Sequence, residues 1–192
     1  MNDSLTPITA AILAGGAARR MGRTKHDLSL EDGRMMVELV LEACRVVTDQ
    51  VVVCGPEIIL PDLPHVTDRV EGGGPLSGLD ALLASGLGDR YLVVPCDMPG
   101  LLGEDLLRLA RTEGDLVVFA HDAKEPPRSL PAVLHARLGP CITERLESDD
   151  RSLHGFIANF DATYVEPPPA ERLVNINDPD DWSKWCGSRD DG

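Results

Sequence analysis

An α/β fold, with a mostly parallel, Rossmann-like sheet covered by helices on both faces, follows from the way this chain of 192 residues alternates. Short β-branched and aliphatic runs take turns with amphipathic stretches of helical period. The early runs end at glycine- or proline-rich turns, as strands do. A hydrophobic content of 43% over this length is enough for one core without disulfides, so residues 1–192 are expected to form one domain.

The elements follow in chain order. Residues 8–13 are aliphatic and stop at Gly15-Gly16, which makes them a buried first strand. Residues 34–47 place Val37, Val40, Leu41 and Cys44 on one helical face. A second strand, 50–54, is ended by Gly55-Pro56, and a short third one covers 65–67. Gly72-Gly73-Gly74-Pro75 then opens a helix over 76–85 with Gly86 at its C-terminal end. Strand 90–95, helix 103–112 and strand 115–119 continue the alternation. The second half is less regular, with a strand over 130–134, helices over 136–147 and 152–158, and a strand over 162–166. A last helix over 178–185 begins with Asp178 as N-cap and Pro179 in the first turn. Pro167-Pro168-Pro169 reads as a stiff connector and 187–192 as a disordered tail.

Composition excludes several function classes. A net charge of −14 and a pI near 4.6 repel nucleic acid and anionic membrane. No apolar run is long enough to span a bilayer and residues 1–7 lack the features of a signal peptide, so a cytoplasmic location is expected. The five cysteines include no C-x-x-C pair, and the five histidines have no ligand spacing, which argues against a disulfide framework and a zinc site. Glu147-Ser148-Asp149-Asp150 and Asp180-Asp181 read as solvated helix ends, and Trp182 and Trp185 as core packing.

Ligands of such sheets sit beyond the carboxyl ends of the strands. Leu13-Ala14-Gly15-Gly16 occupies one such end, where backbone N–H groups freed of Cβ atoms can cluster around an anion. Arg19, Arg20, Arg23 and Lys25 follow within seven positions, a concentration of cations that stands out in an acidic chain. The segment is either a solvated loop or a polyphosphate cradle. It is not a Walker loop, since no Gly-Lys-Ser/Thr follows, and its glycines lack the G-x-G-x-x-G spacing of a dinucleotide site. Strand 90–95 runs into Pro95-Cys96-Asp97-Met98-Pro99, placing a carboxylate on the same rim. Asp97 either caps the next helix or supplies a hard oxygen to Mg²⁺, which one or two carboxylates and substrate phosphates typically hold.

The string from Leu13 to Lys25 resembles the L-A-G-G-x-x-x-R-M-G-x-x-K signature of the molybdenum cofactor guanylyltransferase family, within the wider nucleotide-diphospho-sugar transferase-like fold. P-C-D-x-P at Pro95–Pro99 is similar to that family's second signature, and Gly74-Pro75-Leu76-Ser77-Gly78 to its G-P-L-x-G turn. Val174-Asn175-Ile176-Asn177-Asp178-Pro179 resembles its N-x-N-T-P segment. The resemblance implies transfer of GMP from GTP to the phosphate of molybdenum-bearing molybdopterin, with release of pyrophosphate. It further implies catalytic roles for Lys25, Arg20, Asp97 and Asn177, a metal (Mg²⁺) on Asp97, and nucleotide contacts from Leu13, Ala14, Gly15, Gly16, Lys25, Cys54, Asp68, Gly74 and Asp97. Arg151 matches the family's basic step on the pterin side. Transient docking to cofactor-delivery proteins or molybdoenzymes fits the same picture.

Departures from the family pattern bear on nucleotide choice. Thr24 stands where Asp is usual, His26-Asp27 follow the lysine, Cys54 occupies the position of a base-touching asparagine, and Arg128-Ser129-Leu130-Pro131 lacks the polar-Pro-Leu order. A cytidylyltransferase of the same fold is therefore the first rival, although its relatives tend to carry Ala-Ala-Gly and Gly-Asp-Met-Pro at the two signatures. A catalytically silent nucleotide or pterin carrier is the second, opposed by the presence of Lys25 and Asp97.

Overall fold

The computed structural model describes residues 6–14, 28–30, 33–55, 59–70, 72–121 and 129–190. The elements run β1 (Thr9–Leu13), α1 (Met36–Val47), β2 (Val51–Cys54), β3 (His65–Val66), α2 (Pro75–Leu83), β4 (Arg90–Pro95), α3 (Gly103–Arg111) and β5 (Leu116–Phe119). Then come β6 (Ala132–His135), α4 (Gly139–Glu147), α5 (Leu153–Ala158), β7 (Thr163–Val165) and α6 (Pro179–Asp190). The seven strands form one sheet in the order β3-β2-β1-β4-β6-β5-β7. β6 runs antiparallel to both β4 and β5, and the remaining pairs are parallel.

Alternation along the central strands sorts the core into two layers. Ala10 and Ile12 of β1 and Leu92 and Val94 of β4 face α1 and α3, where Val40, Cys44, Leu106 and Leu109 meet them. Ala11 and Leu13, with Tyr91 and Val93, face α2, α4 and α5 through Leu76, Leu79, Ile142 and Phe156. Strands covered on both faces are apolar at nearly every position, which is why β1 and β4 read as continuous runs rather than alternating ones. Ile176, Met36, Leu39 and Trp182 make a third, smaller cluster beneath α6.

Local chemistry sets the helix ends. Glu38 accepts a hydrogen bond from the Met35 N–H at 2.7 Å, and Asp105 accepts one from the Leu102 N–H at 3.1 Å, so each helix's own first turn satisfies the backbone before it. Asp178 caps α6 by accepting from the Asp181 N–H at 2.8 Å, as the Asp-Pro pair leads one to expect. The buried Arg90 donates to the carbonyls of Ala110 and Thr112 at 3.3 and 2.9 Å. A cation at the C-terminal carbonyls of α3 is worth up to about 2 kcal/mol in such partly buried geometry.

Two elements differ from the sequence reading. The stretch 136–147 divides into a short 3-10 turn, Ala136–Leu138, and α4, because Gly139-Pro140 restarts the helix. α6 continues to Asp190, taking in four residues expected in the tail, with Ser188 Oγ donating back to the Trp185 carbonyl at 2.8 Å.

Candidate active site

β1 lies between β2 and β4, with Leu13 in register with Cys54 on one side and Pro95 on the other. All three strands end on one rim. The Ala14 N–H donates to the Cys54 carbonyl at 2.6 Å and the Cys96 N–H to the Leu13 carbonyl at 3.2 Å, so the chain leaving β1 is fixed from both sides. Gly55 has φ +131°, and a Cβ there would overlap the Ala14 carbonyl. Only glycine allows that close approach of backbone to backbone. Across the rim, Gly74 (φ +61°) turns the chain into Pro75 and the first turn of α2.

Leu13, Pro75, Pro95, Asp97, Leu130 and Asn175 line a cleft of about 320 Å³ at this rim. Asp97 is half-buried. Its Oδ1 accepts a hydrogen bond from Asn175 Nδ2 at 2.9 Å, and its backbone carbonyl accepts one from the Ile176 N–H at 2.8 Å. The segment before α6 is thereby tied to the loop after β4, across 78 residues of sequence. Asn175, which the sequence reading did not single out, is an amide at the carboxylate. Asn177 lies two residues on, and its backbone N–H donates to Asp181 at 3.0 Å. The signal for Asn175 was the N-x-N doublet itself, with the wholly buried Ile176 between two exposed asparagines.

The residues fit a divalent cation held mainly by its substrate. Among the described residues no three His, Cys, Asp or Glu side chains gather as a metal cage. A single rim carboxylate completed by phosphate oxygens is the arrangement expected of a metal that travels with a nucleoside triphosphate.

On the other side of β1, Asp68 and Cys54 form a second group. Asp68 Oδ1 is buried and has no hydrogen-bond partner among the described residues, which marks an acceptor left for something else. Burial pushes the Asp68 carboxyl above the usual carboxylate range, with His65 pulling partly the other way. Burial first, and Asp68 second, push the Cys54 thiol up to about 12, so it stays protonated and a weak hydrogen-bonding group. A Cβ on Gly78 would lie 2.7 Å from Leu13 Cδ1 and 3.4 Å from Asp68 Oδ1, so this glycine of α2 leaves room for both.

Of the residues singled out from sequence, Leu13, Ala14, Cys54, Asp68, Gly74 and Asp97 thus surround the end of β1. Gly15, Gly16, Arg20 and Lys25 lie outside the described residues. Arg151 lines a separate depression of about 400 Å³ beside Arg69, Asp80 and Thr143, away from Asp97. A larger hollow of about 450 Å³, between α1 and the start of α3, includes none of the expected groups.

A matching family model makes this α/β chain a nucleotidyltransferase. Residues 10–164 match the family described as the MobA-like NTP transferase domain, and the chain belongs to that family. The chain is 33% identical to a probable molybdenum cofactor guanylyltransferase of Pelotomaculum thermopropionicum, over 92% of this chain and 90% of the relative. It is 30% identical to a molybdenum cofactor guanylyltransferase of a Shewanella species, over 90% and 92%. The crystal structure of molybdopterin-guanine dinucleotide biosynthesis protein A from Archaeoglobus fulgidus superposes with a TM-score of 0.75 over 96% of this chain and all of that one, at 22% identity, a likeness of fold.

Proposed function

We propose that this chain is a molybdenum cofactor guanylyltransferase, moving GMP from GTP to the terminal phosphate of molybdenum-bearing molybdopterin. An oxygen of the acceptor phosphate, ionised at neutral pH, forms a bond to the α-phosphorus of GTP as the bond to the β-phosphate oxygen breaks and pyrophosphate leaves. The nucleophile comes with the substrate, so neither a covalent intermediate nor a strong base is required of the protein. Its contribution is alignment and charge stabilisation.

In this reading the N–H groups of Gly15 and Gly16, with Lys25 and Arg20, take the triphosphate charge, and Leu13 and Ala14 carry that loop at the end of β1. Asp97 holds Mg²⁺, which when bound would neutralise phosphate charge as it moves onto the leaving pyrophosphate. Asn175 fixes the Asp97 carboxylate, and Asn177 approaches the reacting phosphates. Gly74 brings the start of α2 against the nucleotide. All five cysteines stand outside disulfides, which suits a reducing compartment such as the cytoplasm.

The base assignment rests on the orphaned Asp68 oxygen. Guanine offers adjacent donors at N1 and N2 to a carboxylate acceptor, whereas cytosine lacks that paired edge. A buried polar group left unpaired by the wrong base costs about 1–3 kcal/mol. Titration of the protein with each of GTP, CTP, ATP and UTP in the presence of Mg²⁺ tests this reading. GTP should bind at least tenfold more tightly than CTP or ATP, a difference of about 1.4 kcal/mol. Preference for CTP, or near-equal affinities, would overturn it.

A further inference from the structure

α2 carries a buried carboxylate that neither the phosphate contacts nor the base contact accounts for. Leu76, Leu79, Asp80 and Leu83 share one buried stripe of the helix, and Asp80 is only 4% exposed. Its Oδ1 accepts a 2.6 Å hydrogen bond from Thr143 Oγ1 on α4, and its Oδ2 pairs with Arg69 Nη1 at 3.3 Å. Near the start of the helix, the wholly buried Ser77 accepts from the Val70 N–H at 3.2 Å and donates to the Val70 carbonyl at 2.5 Å. Ser77 and Asp80 therefore grip the two residues that follow Asp68, while Gly78 makes room for the Asp68 carboxylate between them.

A leucine at position 80 would continue the apolar stripe without the desolvation cost of a buried charge. What the carboxylate adds is a link in three parts. Thr143 fixes its rotamer from α4, its second oxygen holds Arg69, and Arg69 adjoins the acceptor residue in a segment that is neither helix nor strand.

We propose that Asp80 is a positioning residue for nucleobase selection, acting through Arg69 to hold Asp68 where it can meet the donor edge of guanine. The proposal rests on the guanylyl reading above. Asp80 touches no substrate in it. Its effect falls on the difference between bases, not on the phosphate contacts or the chemical step.

The test compares GTP with ITP, which lacks the 2-amino donor but shares the triphosphate, by direct titration of wild type, Asp68→Asn, Asp80→Asn and Arg69→Gln. Wild type should favour GTP by about tenfold, and Asp68→Asn should abolish the preference. Asp80→Asn and Arg69→Gln should each reduce it by about threefold or more, with the affinity for ITP, which keeps only the N1 donor, falling less than that for GTP. In turnover they should raise KM for GTP and leave kcat within about twofold. A merely structural carboxylate would lower the melting temperature and leave the GTP-to-ITP ratio intact. That result, with Asp68→Asn still abolishing the preference, overturns the positioning role alone. If Asp68→Asn leaves the preference intact, the base reading fails and the positioning role fails with it. Should Asp80→Asn not fold, the exposed Arg69→Gln decides the question from the other end of the pair.

Discussion

Replacing Asn175 by alanine removes a side-chain hydrogen bond that holds the rim carboxylate. Asn175 Nδ2 donates to Asp97 Oδ1 at 2.9 Å, a hydrogen bond to an ionised acceptor. Such bonds contribute about 1.5–3 kcal/mol when shielded, and Asn175 is exposed, so the lower end applies. Loss of about 1.5 kcal/mol corresponds to a fall of roughly tenfold in kcat/KM. Because the Ile176 N–H still holds the Asp97 backbone, the fold should be retained and the melting temperature should move little. The assay is pyrophosphate release across a Mg²⁺ titration at saturating GTP. Asn175→Ala should need more Mg²⁺ to reach half-maximal rate, since the carboxylate is no longer fixed in one orientation. Asn175→Asp should be worse, because a second negative charge about 3 Å from the first disfavours ionisation of both. A rate within twofold of wild type at every Mg²⁺ concentration would refute the idea that this contact prepares the metal ligand.

Lys25→Ala should weaken nucleotide binding and slow transfer together, with a loss in rate on the order of a hundredfold, read from kcat/KM. Gly55→Ala should destabilise the protein by roughly 2–4 kcal/mol, from a positive φ and an overlap with the Ala14 carbonyl, and lower its melting temperature by about 5–10 °C; unchanged melting would contradict the close approach. Asp68 has a raised carboxyl value, so it takes up a proton at higher pH than a free carboxylate does. The ratio of GTP to ATP affinity should therefore fall as pH drops through that raised value, and Asp68→Asn should flatten the profile. For the same reason Asp68 favours the fold most below the ordinary carboxylate range and loses that contribution as pH rises through its folded value, so Asp68→Asn should not destabilise the protein at neutral pH.

The parts of this fold legible in the sequence were those whose side chains carry the information. β1 and β4 are buried on both faces and are mostly apolar along their length, and Asp178-Pro179 announces the start of α6 through capping chemistry. The direction of β6 was not legible, because a short apolar strand reads alike whether it pairs parallel or antiparallel with β4. The contact of Asn175 with Asp97 joins residues 78 apart in the chain, and spacing alone cannot reveal it. Asp80 was hidden for a related reason. Within an apolar helical run it looks like a polar interruption, and its meaning comes from Thr143 and Arg69, brought to it only by the packing of α4 and the 67–70 segment.

Guanylyl transfer itself is tested most directly by incubating the protein with Mg²⁺, molybdenum-bearing molybdopterin and an equimolar mixture of GTP, CTP, ATP and UTP, and weighing the pterin product by mass spectrometry. A product heavier by one GMP unit, with matching release of pyrophosphate and its loss in Asp97→Asn, is the expected result. A product carrying CMP, or an unmodified pterin beside an intact nucleotide pool, would contradict it.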